Sequence, residues 1–223
     1  MCFSAGASFG ASALLIGAGI GAIRKTESPG MLPFATVPIL FGIQQFAEGI
    51  LWLTFLNRDL ASWHIASIYF FLFFAQVIWP LWVPFSLWLM EPDPTRKKIL
   101  SYFMMLGGAF SAYLVFCLFA YEVSAVVDGG HIKYYLYFPN MELRRSMYFF
   151  VTLIPFFVSS LRFMKLLGAA FLVSLIMSYY FFLGYVISVW CFFAAVLSAL
   201  IVFVIISNKE NVSRSSLAFR REE

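Results

Sequence analysis

At 223 residues the chain is 62% hydrophobic and 20% aromatic but only 12% charged, with a mean hydropathy of +0.89. Soluble domains carry about twice that share of charge, so the composition excludes a water-soluble enzyme. A bilayer crossing takes about 20 apolar residues, which leaves room for roughly eight spans and no separate soluble domain.

Charges bound seven apolar runs, at 3–23, 34–56, 63–90, 99–121, 146–162, 166–184 and 186–207, each near the length of a crossing, with only the fifth short. The expected fold is an all-α integral membrane protein of seven transmembrane helices. It forms one domain over 1–207, followed by a basic tail at 208–223. The first run reads as a retained helix and not a signal peptide, because Arg24 and Lys25 follow it and no base precedes it. Its Gly6, Gly10, Gly17 and Gly21 lie four apart in two pairs, a spacing that predicts close approach of another helix. In the third run, Pro80 and Pro84 predict a kink or tilt. Between the fourth and fifth runs, Asp128-Gly129-Gly130 separates SAVV from the alternating HIKYYLYF, the pattern of a β-hairpin. On that second strand, His131, Lys133, Tyr135 and Tyr137 share one face. The last two runs are too long for one crossing and are expected to divide at Gly184.

Orientation follows from the bases. One set of loops and the C-terminal tail hold eleven Lys and Arg, among them Arg24, Arg96, Arg162 and Arg214, and the opposite set holds four: Arg58, Lys133, Arg144 and Arg145. Bases are retained on the cytoplasmic side, so the N-terminus is expected outside and the C-terminus in the cytoplasm. The same distribution explains the net charge of +4 and pI near 9.0 with no nucleic-acid partner, because the bases are split among short membrane-flanking loops.

Polar residues inside the runs carry the functional signal. Glu48 is the one acid well within a span, and an ionisable group at that depth marks a candidate site. Gln44 at i−4, Gln45 at i−3 and Trp52 at i+4 share its helical face. Fourteen residues at about 1.5 Å each put Glu48 roughly 21 Å from the cytoplasmic end of its span, in the outer half. Cys2, His64 and His131 belong to the same outer side, with Asp128 three residues before His131. Cys, His and carboxylate form the zinc ligand set, so Cys2, Glu48, His64 and His131 are candidate ligands of a transition metal such as zinc. Glu48 has two further readings: interhelical glue, hydrogen-bonded to Gln44, Gln45 or a Tyr hydroxyl, and a proton or ligand site. Gln76 in the third run could face the same interior and joins Gln44, Gln45, Glu48 and Trp52 as candidate ligand-binding residues. His64 beside Trp63 also reads as an interfacial anchor, and Trp79, Trp82 and Trp88 as a lipid-facing or interfacial belt. Ser174, Ser178 and Tyr179 or Tyr180 read as interhelical bonds, and Cys117 and Cys191 as small apolar residues.

The opening MCFSAGASF and the run PFATVPILFGIQQFAEGILW resemble an uncharacterised family of bacterial membrane proteins that begin Met-Cys-Phe-Ser and carry Gln-Gln-x-x-Glu-Gly-x-x-Trp in an early helix. The matching residues are Cys2, Phe3, Ser4, Gln44, Gln45, Glu48, Gly49 and Trp52, all within the first 55 positions. The resemblance implies a multi-pass protein of the bacterial cytoplasmic membrane and no particular activity. Seven-helix zinc hydrolases of the alkaline ceramidase and adiponectin-receptor type resemble the topology. Their site uses three His, however, and this chain has two.

The expectation is thus an outward-facing polar pocket around Glu48, which the hairpin could cap, that binds a small molecule, lipid or metal in a receptor-like or accessory role. Two alternatives are a metal-dependent membrane hydrolase using Cys2, His64, His131 and Glu48, and a proton-coupled transporter in which Glu48 titrates.

Overall fold

A computed structural model describes residues 4–26 and 28–219. The chain is mostly helical, with α1 (Ala5–Lys25), α2 (Leu32–Ala35), α3 (Val37–Leu56), α4 (Ala61–Leu72), α5 (Trp79–Met90), α6 (Pro94–Ala120), α7 (Met141–Val158), α8 (Met164–Phe181) and α9 (Val186–Phe219). A two-stranded antiparallel sheet, β1 (Val123–Asp128) and β2 (His131–Leu136), interrupts the helices between α6 and α7. Helix starts follow local chemistry. The Ser4 hydroxyl accepts the Ala7 amide at 3.2 Å to cap α1. The Asp93 carboxylate accepts the Arg96 amide at 2.8 Å ahead of Pro94, a residue preset for the first helical position.

Among the described residues, six segments are long and apolar enough to cross a membrane: Ala5–Lys25, Pro29–Leu56, Arg58–Met90, Pro94–Ala120, Met164–Phe181 and Val186–Phe203. The fifth apolar run of the sequence behaves differently. Its helix, α7, spans Met141–Val158 instead of 146–162, so its first turns carry Glu142, Arg144 and Arg145. The split at Gly184 is present as a short turn, Leu183–Tyr185, between α8 and α9. Helix α9 continues through residues 208–219 of the basic tail instead of stopping at the end of the apolar run.

The third run is one continuous helix from α4 to α5 with a π-helical turn, Phe73–Ile78, at its centre. Widening of the turn and the missing N–H of Pro80 free backbone carbonyls. Neighbouring helices take them: Ser111 of α6 donates to the Val77 carbonyl at 2.8 Å, and Tyr148 of α7 donates to the Ala75 carbonyl at 2.7 Å. Gly107 of α6 lies so close to the Pro80 carbonyl oxygen that a Cβ there would collide with it.

Helices α1 and α3 also pack closely, but by other glycines than the sequence suggested. A Cβ on Gly6, Gly10, Gly17 or Gly21 meets nothing within 4 Å. The packed stripe of α1 is Ser8, Ser12, Leu15, Gly19 and Ala22, and Gly42 and Gly49 of α3 receive Ile16 and Phe9. Both stripes recur at helical spacing, and burial selects the one carrying larger neighbours. Ser174 and Ser178 bond their own helix, to the Phe171 and Ser174 carbonyls, and not another one.

The hairpin forms where the turn residues place it. Asp128 pairs with His131 across Gly129 and Gly130, whose φ values of +56° and +76° are the left-handed pair that a two-residue turn requires. Ile132, Tyr134 and Leu136 turn inward and are buried, leaving His131, Lys133 and Tyr135 on the other face. The Tyr134 ring stacks on Phe71 of α4 at 4.7 Å with an interplanar angle of 4°. This inner face shares one apolar cluster with Ala47, Leu51 and Trp52 of α3 and Cys191 of α9.

At the opposite end, Glu91 ties α5 to the end of α7. Its carboxylate, 2% exposed, accepts the Ser159 hydroxyl at 2.8 Å, the Ser160 amide at 2.9 Å and the Ser160 hydroxyl. Burial pushes the carboxyl up, but the Ser160 and Ser159 hydroxyls, with the Ser160 and Asp93 amides, outweigh it and hold the group below its ordinary 4.5. A depressed folded-state pKa contributes stability above the unfolded value and loses it as pH falls through the folded one. Acid unfolding in detergent should therefore be shallower below pH 4.5 for Glu91→Gln than for the wild type. Parallel acid curves would remove this role.

Candidate functional site

Helix α3 places Gln44, Gln45, Glu48 and Trp52 in the interior, where the first three are fully buried and Trp52 is nearly so. The Glu48 carboxylate accepts the Ser188 hydroxyl of α9 at 2.7 Å across 140 residues of sequence. Gln44 turns aside from Glu48: its Oε1 accepts the Trp79 indole N–H of α5 at 3.0 Å, and its side chain lies beside the Cys191 thiol. Phe41 stacks beneath Trp79 with ring centroids 3.9 Å apart. Trp79 is therefore a core residue and no part of a lipid-facing belt, and Trp82 donates inward to the Pro33 carbonyl at 3.0 Å. Neither amide atom of Gln45 has a hydrogen-bond partner among the described residues, nor has the Trp52 indole N–H. Buried polar groups are almost always paired. The face read from the sequence is thus a strip of buried polar groups, incompletely satisfied and linked to α5 and α9.

Gln76 belongs to a second polar centre. Its Oε1 accepts an Arg144 guanidinium N–H at 2.7 Å, which joins the π-helical turn to α7. Arg144 is only 6% exposed. Another of its N–H groups points to the Met141 sulfur at 3.0 Å, the Phe138 ring lies 5.2 Å below the guanidinium carbon, and Nε has no partner among the described residues. The carboxylate of Glu142 pairs with the neighbouring Arg145 at 3.1 Å. In the sequence Arg144 counted only as a loop charge. Its spacing from Tyr148, Val151, Thr152 and Pro155, which are buried on the same face of α7, was the available signal.

Beside this centre opens a chamber of about 720 Å³ between the hairpin, the start of α7 and the start of α9. Arg144, Arg145 and Lys133 line it, with Tyr148 and Phe149 on one wall and Tyr134 and Tyr137 on another. Ser188 and Cys191 lie in its lining and touch Glu48 and Gln44 respectively, so the two polar centres meet there. Deeper in the bundle is an apolar cavity of about 40 Å³, lined by Phe41, Phe156, Phe171 and Ala194, that shares Trp190 and Cys191 with the chamber.

The candidate metal ligands are engaged elsewhere. Cys2 lies outside the described residues. Nδ1 of His64 is hydrogen-bonded to the Thr54 hydroxyl at 2.7 Å, and its ring meets Phe55 edge-on at 4.8 Å, which fastens α4 to the end of α3. The His131 ring stacks on Tyr185 at 4.9 Å, and burial pushes its pKa below 6.5. Tyr185 in turn hydrogen-bonds Asp128, closing the hairpin tip onto the α8–α9 turn. Among the described residues no group of three or more His, Cys, Asp and Glu is placed to hold a metal. Cys117 and Cys191 are buried free thiols, as small apolar residues would be.

No curated protein and no solved structure matches the chain. A family model matches residues 1–216, and the chain belongs to that family, DUF6629, a family of unknown function.

Proposed function

For this member of a family of unknown function, we propose a multi-pass binding protein of the bacterial cytoplasmic membrane. It holds a small molecule or lipid in the chamber between the hairpin and α9, in a receptor-like or accessory role. The carrying observation is the chamber itself: about 720 Å³, walled by aromatic rings and floored by Ser188, which is bonded to Glu48. Ligand sites are concave, mainly apolar and supplied with a few convergent polar groups, and this volume falls within their usual range.

We read α7 as a seventh crossing. Its three charges fall in the first five residues, and the remainder to Val158 is uncharged, so those charges sit at one end of the helix. Seven crossings with eleven bases on one side and four on the other favour an external N-terminus and a cytoplasmic C-terminus. On that reading the hairpin and the chamber mouth face outward. Glu48 then acts as a buried acceptor that holds α9 in place at the chamber floor.

The test is occupancy. Gentle release of the detergent-purified protein in a mass spectrometer should show a retained mass of small-molecule or lipid size. Ile187→Trp, which fills the chamber from its lining, should abolish that mass while the melting curve stays intact. Equal retention by both proteins, or none by the wild type, would remove the reading.

A further inference from the structure

We propose that the chamber takes an anionic amphiphile: an oxyanion head seated on Arg144, with an apolar tail running past Trp190 and Cys191 into the bundle. The inference rests on the binding reading above and names the ligand's chemistry.

Charge gives the first step. Three cations line the chamber, and no Asp or Glu is among its described lining residues. Two of the cations have other company. Arg145 pairs with Glu142 at 3.1 Å, and the Lys133 ammonium lies 5.3 Å over the Tyr135 ring at the exposed hairpin face. Arg144 differs in being 6% exposed and without an ion pair among the described residues. A buried guanidinium is normally matched by a carboxylate or a phosphate. Here it has a neutral carboxamide, a sulfur and a ring face, and its Nε–H is unpaired among the described residues. Those contacts fix the plane of the group without neutralising it. The guanidinium fork suits a carboxylate or phosphate oxygen pair, and a site already held in position loses little freedom on binding.

The shape of the space gives the second step. A free inorganic anion would need only the neighbourhood of Arg144, yet the chamber extends from there to Cys191 along Tyr148, Phe149 and Trp190. At Trp190 and Cys191 it adjoins the apolar cavity lined by Phe156, Phe171 and Ala194. An opening that is cationic at one end and apolar at the other matches a molecule with a charged head and a hydrocarbon tail.

Three probes separate these contributions: oleyl phosphate, oleyl alcohol and inorganic phosphate, titrated calorimetrically into the full chain in a neutral detergent. Oleyl phosphate should bind at least about 10-fold more tightly than oleyl alcohol, and inorganic phosphate at least about 10-fold more weakly than oleyl phosphate, as charge-assisted hydrogen bonds and a buried tail each require. In Arg144→Gln the preference for phosphate over alcohol should shrink to within about threefold, and Arg144→Lys should restore part of it. If Arg144→Gln fails to fold, Lys133→Gln combined with Arg145→Gln at the more exposed mouth should weaken oleyl phosphate about two- to fivefold and flatten its salt dependence. Equal binding of the alcohol and the phosphate would overturn the anionic head and leave the chamber reading standing. Inorganic phosphate binding as tightly as oleyl phosphate would overturn the tail, and binding of none of the three would overturn both proposals.

Discussion

Gly107→Ala should destabilise the folded protein by about 3 kcal/mol or more in detergent unfolding, the upper part of the range for overpacking. The added methyl would meet the Pro80 carbonyl oxygen, a backbone atom within a helix that is fastened on both sides. No side-chain rotation can relieve that contact, so α5 and α6 must separate. Separation would also stretch the bond from Ser111 to the Val77 carbonyl and disturb the Gln76 end of the polar centre. The adjacent Gly108 is the control. Its Cβ would lie 3.7 Å from Leu81 Cδ1, an ordinary contact. Gly108→Ala should be neutral or stabilising by up to about 1 kcal/mol through helix propensity. Similar losses at both positions would mean that α5 and α6 are not in backbone contact.

The second large effect is expected at Glu48. Glu48→Ala removes the acceptor of the Ser188 hydroxyl and leaves a void in a fully buried site. An orphaned buried group and a cavity together cost about 3 kcal/mol. Glu48→Gln keeps an acceptor oxygen at nearly the same place and should lose less than about 1.5 kcal/mol. The bond itself is read by a double-mutant cycle of Glu48→Ala with Ser188→Ala, whose coupling should be about 1.5 kcal/mol. Additive losses would show that α3 and α9 are not joined there. Because Ser188 lines the chamber, Glu48→Ala should also weaken whatever ligand the chamber holds.

What the sequence makes legible here is largely local. Membrane helices were readable because lipid forces charges to the ends of apolar runs, and the hairpin because two glycines in succession suit a turn that other residues strain to make. The same rule concealed Arg144. A base near the end of a run counts as a loop charge, and only its alignment with Tyr148 and Val151 on one face of α7 separates a buried arginine from a solvated one. Glu48 was conspicuous, but its partner Ser188 lies 140 residues away, beyond any periodicity. Trp79 shows the limit in the other direction. Indoles in an apolar run suit a lipid-facing belt, yet this one finds an acceptor in Gln44 because both lie on inward faces of α3 and α5. On α1 the spacing of Gly6, Gly10, Gly17 and Gly21 pointed to one stripe, whereas the packed face is set by Ile16, Ile39 and Phe9, which the spacing of glycines does not reveal.

The π-helical turn at Phe73–Ile78 holds one residue more than an ordinary helical turn would use. That surplus sets the two halves of one long helix at different angular settings. Below it, Trp79 is aimed at Gln44, and above it, Phe71 is aimed at the Tyr134 ring of the hairpin. Deleting a single residue within the turn would restore regular winding and swing α4 by about 100° against α5. The helix would then be locally better formed and globally misaligned, with Phe71 carried off the hairpin while Trp79 kept its place. In this chain the wide turn serves as a clocking joint, and the hairpin wall of the chamber is registered to the bundle through it.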